Sequence, residues 1–156
     1  MNMQANQCIR EARLTLGISD AEIVERTRLT VSELWHIEMR STDLLSDVAS
    51  QKILLLCKEL KLSLNELLDI PETDDSVSEG LATHVCNVRT RAKLTSLQLD
   101  DLIGYEDGFI EKVESGAVAL TEYPLELLME IADYTHSSRA QMLRALQGEL
   151  KFIIGG

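Results

Sequence analysis

The sequence predicts an all-α fold arranged as two compact five-helix domains in tandem. Three observations carry that expectation. Apolar residues recur at helical rather than alternating spacing along both halves. Capping signatures, a hydroxyl followed three residues later by Glu or Gln, precede several of those apolar runs. The second half repeats the pattern of the first at a fixed offset. A chain of 156 residues with only two prolines and eight glycines also suits helices joined by short connections, at roughly 70 residues per unit.

The elements follow in order. Ile9, Ala12 and Leu16 predict a first helix, which the turn Gly17-Ile18-Ser19 separates from a second carrying Ile23 and Val24. Leu34 and Ile37 mark a third helix, Ile53, Leu56, Cys57 and Leu60 a fourth, and Leu64, Leu67 and Leu68 a fifth. In the second half the stripes are Val85, Val88 and Ala92; Leu99, Leu102 and Ile103; Ile110 and Val113; Leu128, Ile131 and Ala132; Met142, Leu143 and Leu146. Ser19/Glu22, Thr30/Glu33, Ser63/Glu66, Thr95/Gln98 and Ser138/Gln141 place helix starts near 20, 31, 64, 96 and 139. Pro124 suits the first turn of a further helix.

Between the halves lies Pro71-Glu-Thr-Asp-Asp-Ser-Val-Ser-Glu-Gly80, with four acids and no base. It reads as an acidic solvated linker, giving a first domain at 1–70, a linker at 71–80 and a second domain with an apolar tail at 81–156. Ile9/Val85 to Ser41/Ala117 superpose at an offset of 76. Arg13/Arg89 and Glu38/Glu114 are identical there, and Ala12/Val88, Ile18/Leu94, Ser19/Thr95, Ile23/Leu99, Leu34/Ile110 and Ile37/Val113 match in character. One residue then drops out, so that Cys57 aligns with Ala132. Matching caps and turns read as a divergent tandem repeat.

The first unit, with Arg13 on its first helix, the Gly17-Ile18-Ser19 turn, Asp20 and Ile23-Val24, then Leu34-Trp-His-Ile37-Glu38 and the closing run Leu54 to Leu68, resembles the lambda-repressor-like (XRE) helix-turn-helix family. The second unit fits more loosely, with Lys93-Leu94-Thr95 at the first turn, Gly104 between the helices and Ile110, Val113, Glu114 and Gly116 closing the pattern. The first unit carries Arg28 where Gly104 stands, a departure at a turn that favours glycine. The resemblance implies a transcriptional regulator or repressor. Its first unit would bind double-stranded DNA, and its second would serve dimerisation or a regulatory protein partner. Paired units would prefer half-sites about one helical turn apart.

In that reading the recognition helix runs from Val31 to Glu38, presents Thr30, Val31, Ser32 and Trp35 outward, and takes phosphate contacts from Arg26, Arg28 and Arg40. Arg10 and Arg13 either add to those phosphate contacts or pair with Glu38 or other acids instead. The base-reading set is short of the usual Gln, Arg, Asn or Lys. Val31 reaches only a thymine methyl, Ser32 is short, and Glu33 disfavours phosphate. The second unit is worse placed, since Asp100-Asp101 precedes Glu106-Asp107-Gly108-Phe109-Ile110-Glu111-Lys112.

Charge points the other way from the resemblance. Lys and Arg number 15 against 26 Asp and Glu, a net charge of -11, and neither half is basic. Such a chain repels phosphates at long range unless its cations gather on one face. The competing reading is a helix-turn-helix scaffold turned to protein contact, as an anti-activator, antitoxin-like partner or DNA mimic. Trp35 is then an exposed anchor, or else a side chain half-buried against a neighbouring helix. Phe152, Ile153 and Ile154 form an apolar tail that either closes the second core or docks on another subunit.

Catalytic and cofactor readings find no support. His36, His84 and His136 are far apart, His84-x-Cys86 is the one close pairing of metal-ligand types, and phosphate-cradling or nucleophile motifs are absent. Three cysteines at wide spacing do not suggest a disulfide framework, and Cys57 sits in an apolar stripe that marks it as core. No apolar run is long enough to span a bilayer, and residues 1–6 lack the pattern of a signal peptide, so the expected compartment is the cytoplasm.

Overall fold

A computed structural model describes residues 5–39, 46–73 and 80–155. Among these, all regular structure is helical, as expected. The first half contains α1 (Ala5–Leu16), α2 (Asp20–Thr27), α3 (Val31–Met39), α4 (Ser50–Leu60) and α5 (Leu64–Leu68). The second contains α6 (Leu81–Arg91), α7 (Ser96–Ile103), α8 (Phe109–Ser115), a 3₁₀ turn (Leu120–Glu122), α9 (Leu125–Tyr134), α10 (Arg139–Gln147) and α11 (Leu150–Gly155). No described helix is long and apolar enough to cross a membrane. Arg40 and positions 74–79 of the acidic stretch lie outside the described residues.

The five predicted starts coincide with α2, α3, α5, α7 and α10, because the caps are made as the sequence proposes. Ser19 and Thr95 form reciprocal capping boxes with Glu22 and Gln98. Thr30 and Glu33 exchange backbone and side-chain bonds of 3.0 Å each. Pro124 corrects its expectation by one position. Its ψ of 154° keeps it extended, so it stands at the N-cap of α9 rather than inside the first turn.

The repeat persists in the hydrogen bonding. Arg13 Nε and Nη2 grip Glu38 at 2.8 Å each, while Nη1 donates to the Ile18 carbonyl at 3.0 Å. Arg89 does the same to Glu114 at 2.6 and 2.9 Å and to Leu94 at 2.7 Å. Each guanidinium thus ties the first helix of its unit to the third and to the intervening turn, and its hydrogen bond with the carboxylate is the chief reason its pKa is raised. Further on, Lys61 and His136 both take left-handed φ, 57° and 53°. Each is followed by an equivalent bond, Leu62 N–H to the Cys57 carbonyl and Ser137 N–H to that of Ala132, both at 2.9 Å.

The two halves share one continuous cluster of buried side chains, from Ile9 and Ile23 through Leu56 and Leu99 to Leu143. Polar bonds also cross between them. Ser50 N–H donates to the Tyr123 carbonyl at 2.8 Å, and its hydroxyl donates to the carbonyls of Leu120 and Thr121 at 3.3 and 3.2 Å. A buried hydroxyl so placed is satisfied rather than stranded.

Candidate functional site

The site is built on α2, a three-residue turn and α3. Thr27 closes α2 by donating its buried hydroxyl to the Ile23 carbonyl at 2.6 Å. Arg28 then takes φ 65°, the left-handed conformation that a non-glycine residue adopts at a cost. Leu29 is buried as the turn's anchor, and Thr30 starts α3. On α3, Leu34 and Ile37 face the core. The helical period leaves Val31, Trp35 and Met39, at i, i+4 and i+8, on the outside, where they are 64%, 47% and 55% exposed. Trp35 packs edge-on against His36, with ring centroids 5.3 Å apart. Ser32 is also exposed.

Two of the cations expected to flank this helix, Arg26 and Arg28, are engaged by protein groups. Arg26 reaches Glu22 at 3.4 Å and Glu59 at 3.6 Å. Arg28 donates through Nη2 to the Ile153 carbonyl at 3.0 Å. It thereby supplies a cation and a donor to the C-terminal end of α11, where helix carbonyls lack intrahelical partners. Lys52 pairs with Glu33 at 2.8 Å. Burial works against the charge on Glu33, yet hydrogen bonds from Lys52 and the Thr30 backbone hold its carboxyl below the ordinary value. Thr30 spends its hydroxyl as a cap.

The apolar tail divides. Ile153 is buried, so it is not available as a surface anchor, whereas Phe152 and Ile154 are exposed. Helix α11 packs on α4 and thereby closes onto the first half. It also helps wall an open cleft of about 430 Å³, along with Arg28, Gln51, Leu81, Thr121 and Glu149. Two of its polar side chains are already bonded, Arg28 as above and Glu149 to the Leu81 N–H at 2.9 Å.

The second unit supplies an internal control. The positions equivalent to Val31, Trp35 and Met39 are Asp107, Glu111 and Ser115, all exposed. The helix also begins later than the sequence pattern suggests: Gly108, at φ 93°, is the N-cap and α8 starts at Phe109. Asp100, expected beside the groove-facing acids, points inward and is fully buried. Its carboxylate accepts from the N–H groups of Gly108 and Ile110 at 2.8 Å each, a charge-assisted cap on the start of α8. Asp101, Glu106, Asp107 and Glu111 remain on the surface.

Sequence reasoning did not single out Met39, the Arg28–Ile153 bond or the role of Asp100. Extending the spacing from Val31 through Trp35 by one more turn finds Met39. The other two join residues far apart or across a turn and leave no local signal. Among the described residues no group of three or more His, Cys, Asp or Glu side chains could hold a metal ion. Cys57 is buried, and burial pushes its thiol up to about 12. Compared with known proteins, the chain matches no protein-family model and no curated protein.

Proposed function

We propose that the chain is a helix-turn-helix-type regulatory protein that acts by protein contact through the outward face of α3. The observation that carries this reading is the exposed stripe Val31, Trp35 and Met39. The equivalent positions of the second unit show that the scaffold works with Asp, Glu and Ser there, so packing does not require the apolar side chains. An aromatic flanked by aliphatic side chains on a rigid helix is the composition of an interface anchor. The occupant we assign is the basic-rimmed apolar groove of another protein. A chain of net charge -11 attracts such a rim at long range and repels both phosphates and a second copy of itself.

A second reading keeps the resemblance's DNA partner, and the short α2–α3 turn with left-handed Arg28 favours it. Val31, Ser32 and Trp35 would then enter the major groove. Trp35 is the chain's single tryptophan, so its emission reports on this face alone. Titration of mixed-sequence duplex DNA at low salt, where electrostatic affinity is greatest, is expected to leave both Trp35 emission and duplex mobility unchanged. Salt-sensitive quenching together with a mobility shift would establish the DNA reading and end the first one.

A further inference from the structure

Two of the contacts between the two halves relate corresponding positions of the repeat. Ala49 is the N-cap of α4 and Pro124 is the N-cap of α9, its counterpart 75 residues on. These two residues form an antiparallel bridge with each other. Asn65 Oδ1 accepts from Gln147 Nε2 at 3.0 Å. At the same offset, the counterpart of Asn65 is Ala140 and that of Gln147 is Glu72, and all four residues line one small cleft. A contact in which position i of one unit meets position j of the other, and j meets i, is the signature of a two-fold axis. A head-to-tail stacking of the units would give an i–j contact without its j–i reciprocal.

We infer that the two repeats pack about an internal pseudo-two-fold axis, the second unit covering on the first the surface that a second copy of the chain would otherwise take. The molecule is then a dimer written into one polypeptide, and this holds whatever α3 contacts. Two features fix the arrangement. Backbone pairing at Ala49–Pro124 sets the register, and the Ser50 bonds to Leu120 and Thr121 lie beside it. The symmetry is broken at its working ends, where one unit offers Val31, Trp35 and Met39 and the other offers Asp107, Glu111 and Ser115. If the protein-contact reading holds, each chain takes one partner rather than two.

Cysteines placed at the bridge test the inference in the full-length chain. Antiparallel bridge partners lie about 4.5–5.5 Å apart between Cα atoms, within the span a disulfide closes. In a Cys8→Ser, Cys86→Ser background, Ala49→Cys with Pro124→Cys is expected to oxidise to a faster-migrating monomer on a non-reducing gel. Cys57, buried with its thiol pushed up to about 12, stays out of the exchange. A disulfide-linked dimer, or no bond in protein that keeps its helical circular dichroism, would overturn the inference. The unsubstituted chain provides the second measurement. Sedimentation velocity across the micromolar range is expected to show one species of about 17.4 kDa, and a persistent dimer would overturn the claim that the second unit fills the second copy's place.

Discussion

Helices α3 and α8 occupy the same place in the two units and have been assembled by different means. Helix α3 is capped locally by Thr30 and Glu33, and its outward stripe is apolar. Helix α8 is capped from the preceding helix by the buried carboxylate of Asp100, and its outward positions are charged or polar. What the units share is the framework: the Arg–Glu clamp, the capped second helix and the left-handed turn before the third. The difference teaches that the framework leaves the outer face of the third helix unconstrained, so its residues report on what the face is for.

The clamp should give the largest effect, and in both units. Glu38→Ala removes the bidentate partner of a largely buried guanidinium and leaves it only Asp20 and the Ile18 carbonyl, a loss of about 3 kcal/mol. Glu114→Ala should cost somewhat less, since that pair is more exposed. Urea unfolding of the two variants measures both, and a negligible cost for either would break the equivalence of the units. The caps come next. Asp100→Ala removes two charge-assisted bonds, one to the buried Ile110 N–H and one to the partly buried Gly108 N–H, and should cost about 3 kcal/mol. Thr30→Ala should cost about 1 kcal/mol. Equal losses in the same assay would contradict the two modes of capping.

Acid should distinguish the helix starts at smaller scale. The Glu33 carboxyl titrates below its ordinary value in the fold, so its contribution is fully present above about pH 4.5 and is lost as pH falls through the lower folded value. Amide exchange followed through that window is expected to speed up at the first turn of α3; unchanged protection there would contradict the Lys52–Glu33 tie. The smallest stability effect should come from the stripe itself. Val31→Asp, Trp35→Glu and Met39→Ser together give the α3 face the residues of its counterpart positions 107, 111 and 115, and the unfolding free energy should stay within about 0.5 kcal/mol. A much larger loss would mean that the stripe serves packing and not contact.

The all-helical fold and its helix starts were legible because caps and apolar spacing are local properties of the chain. Ser19, Thr30, Ser63, Thr95 and Ser138 each signal a start within four residues. Pro124 misled by one position because a fixed φ suits both the N-cap and the first turn, and only ψ separates them. Arg13–Glu38 was visible as one of two pairings open to Arg13, the identical Arg89–Glu114 pair lying at the same offset. Asp100 was not, since an acid on a helix reads as solvated until the turn that buries it is known. At the site, Val31, Ser32 and Trp35 were read on the outward face, where they stand. Arg28 was read as a phosphate contact, and Ile153 as closing the second core or docking on another subunit, because their bond spans 125 residues, a separation at which no sequence pattern speaks.

The claim that the α3 face meets a protein is tested most directly by placing one photo-reactive benzoylphenylalanine at position 35 and, in a second variant, at position 111, then irradiating cells that express the chain. The account predicts a discrete protein adduct from position 35, lost when Val31 and Met39 are also replaced by Asp and Ser, and no such adduct from position 111. A DNA adduct from position 35, or the same protein adducts from both positions, would contradict it.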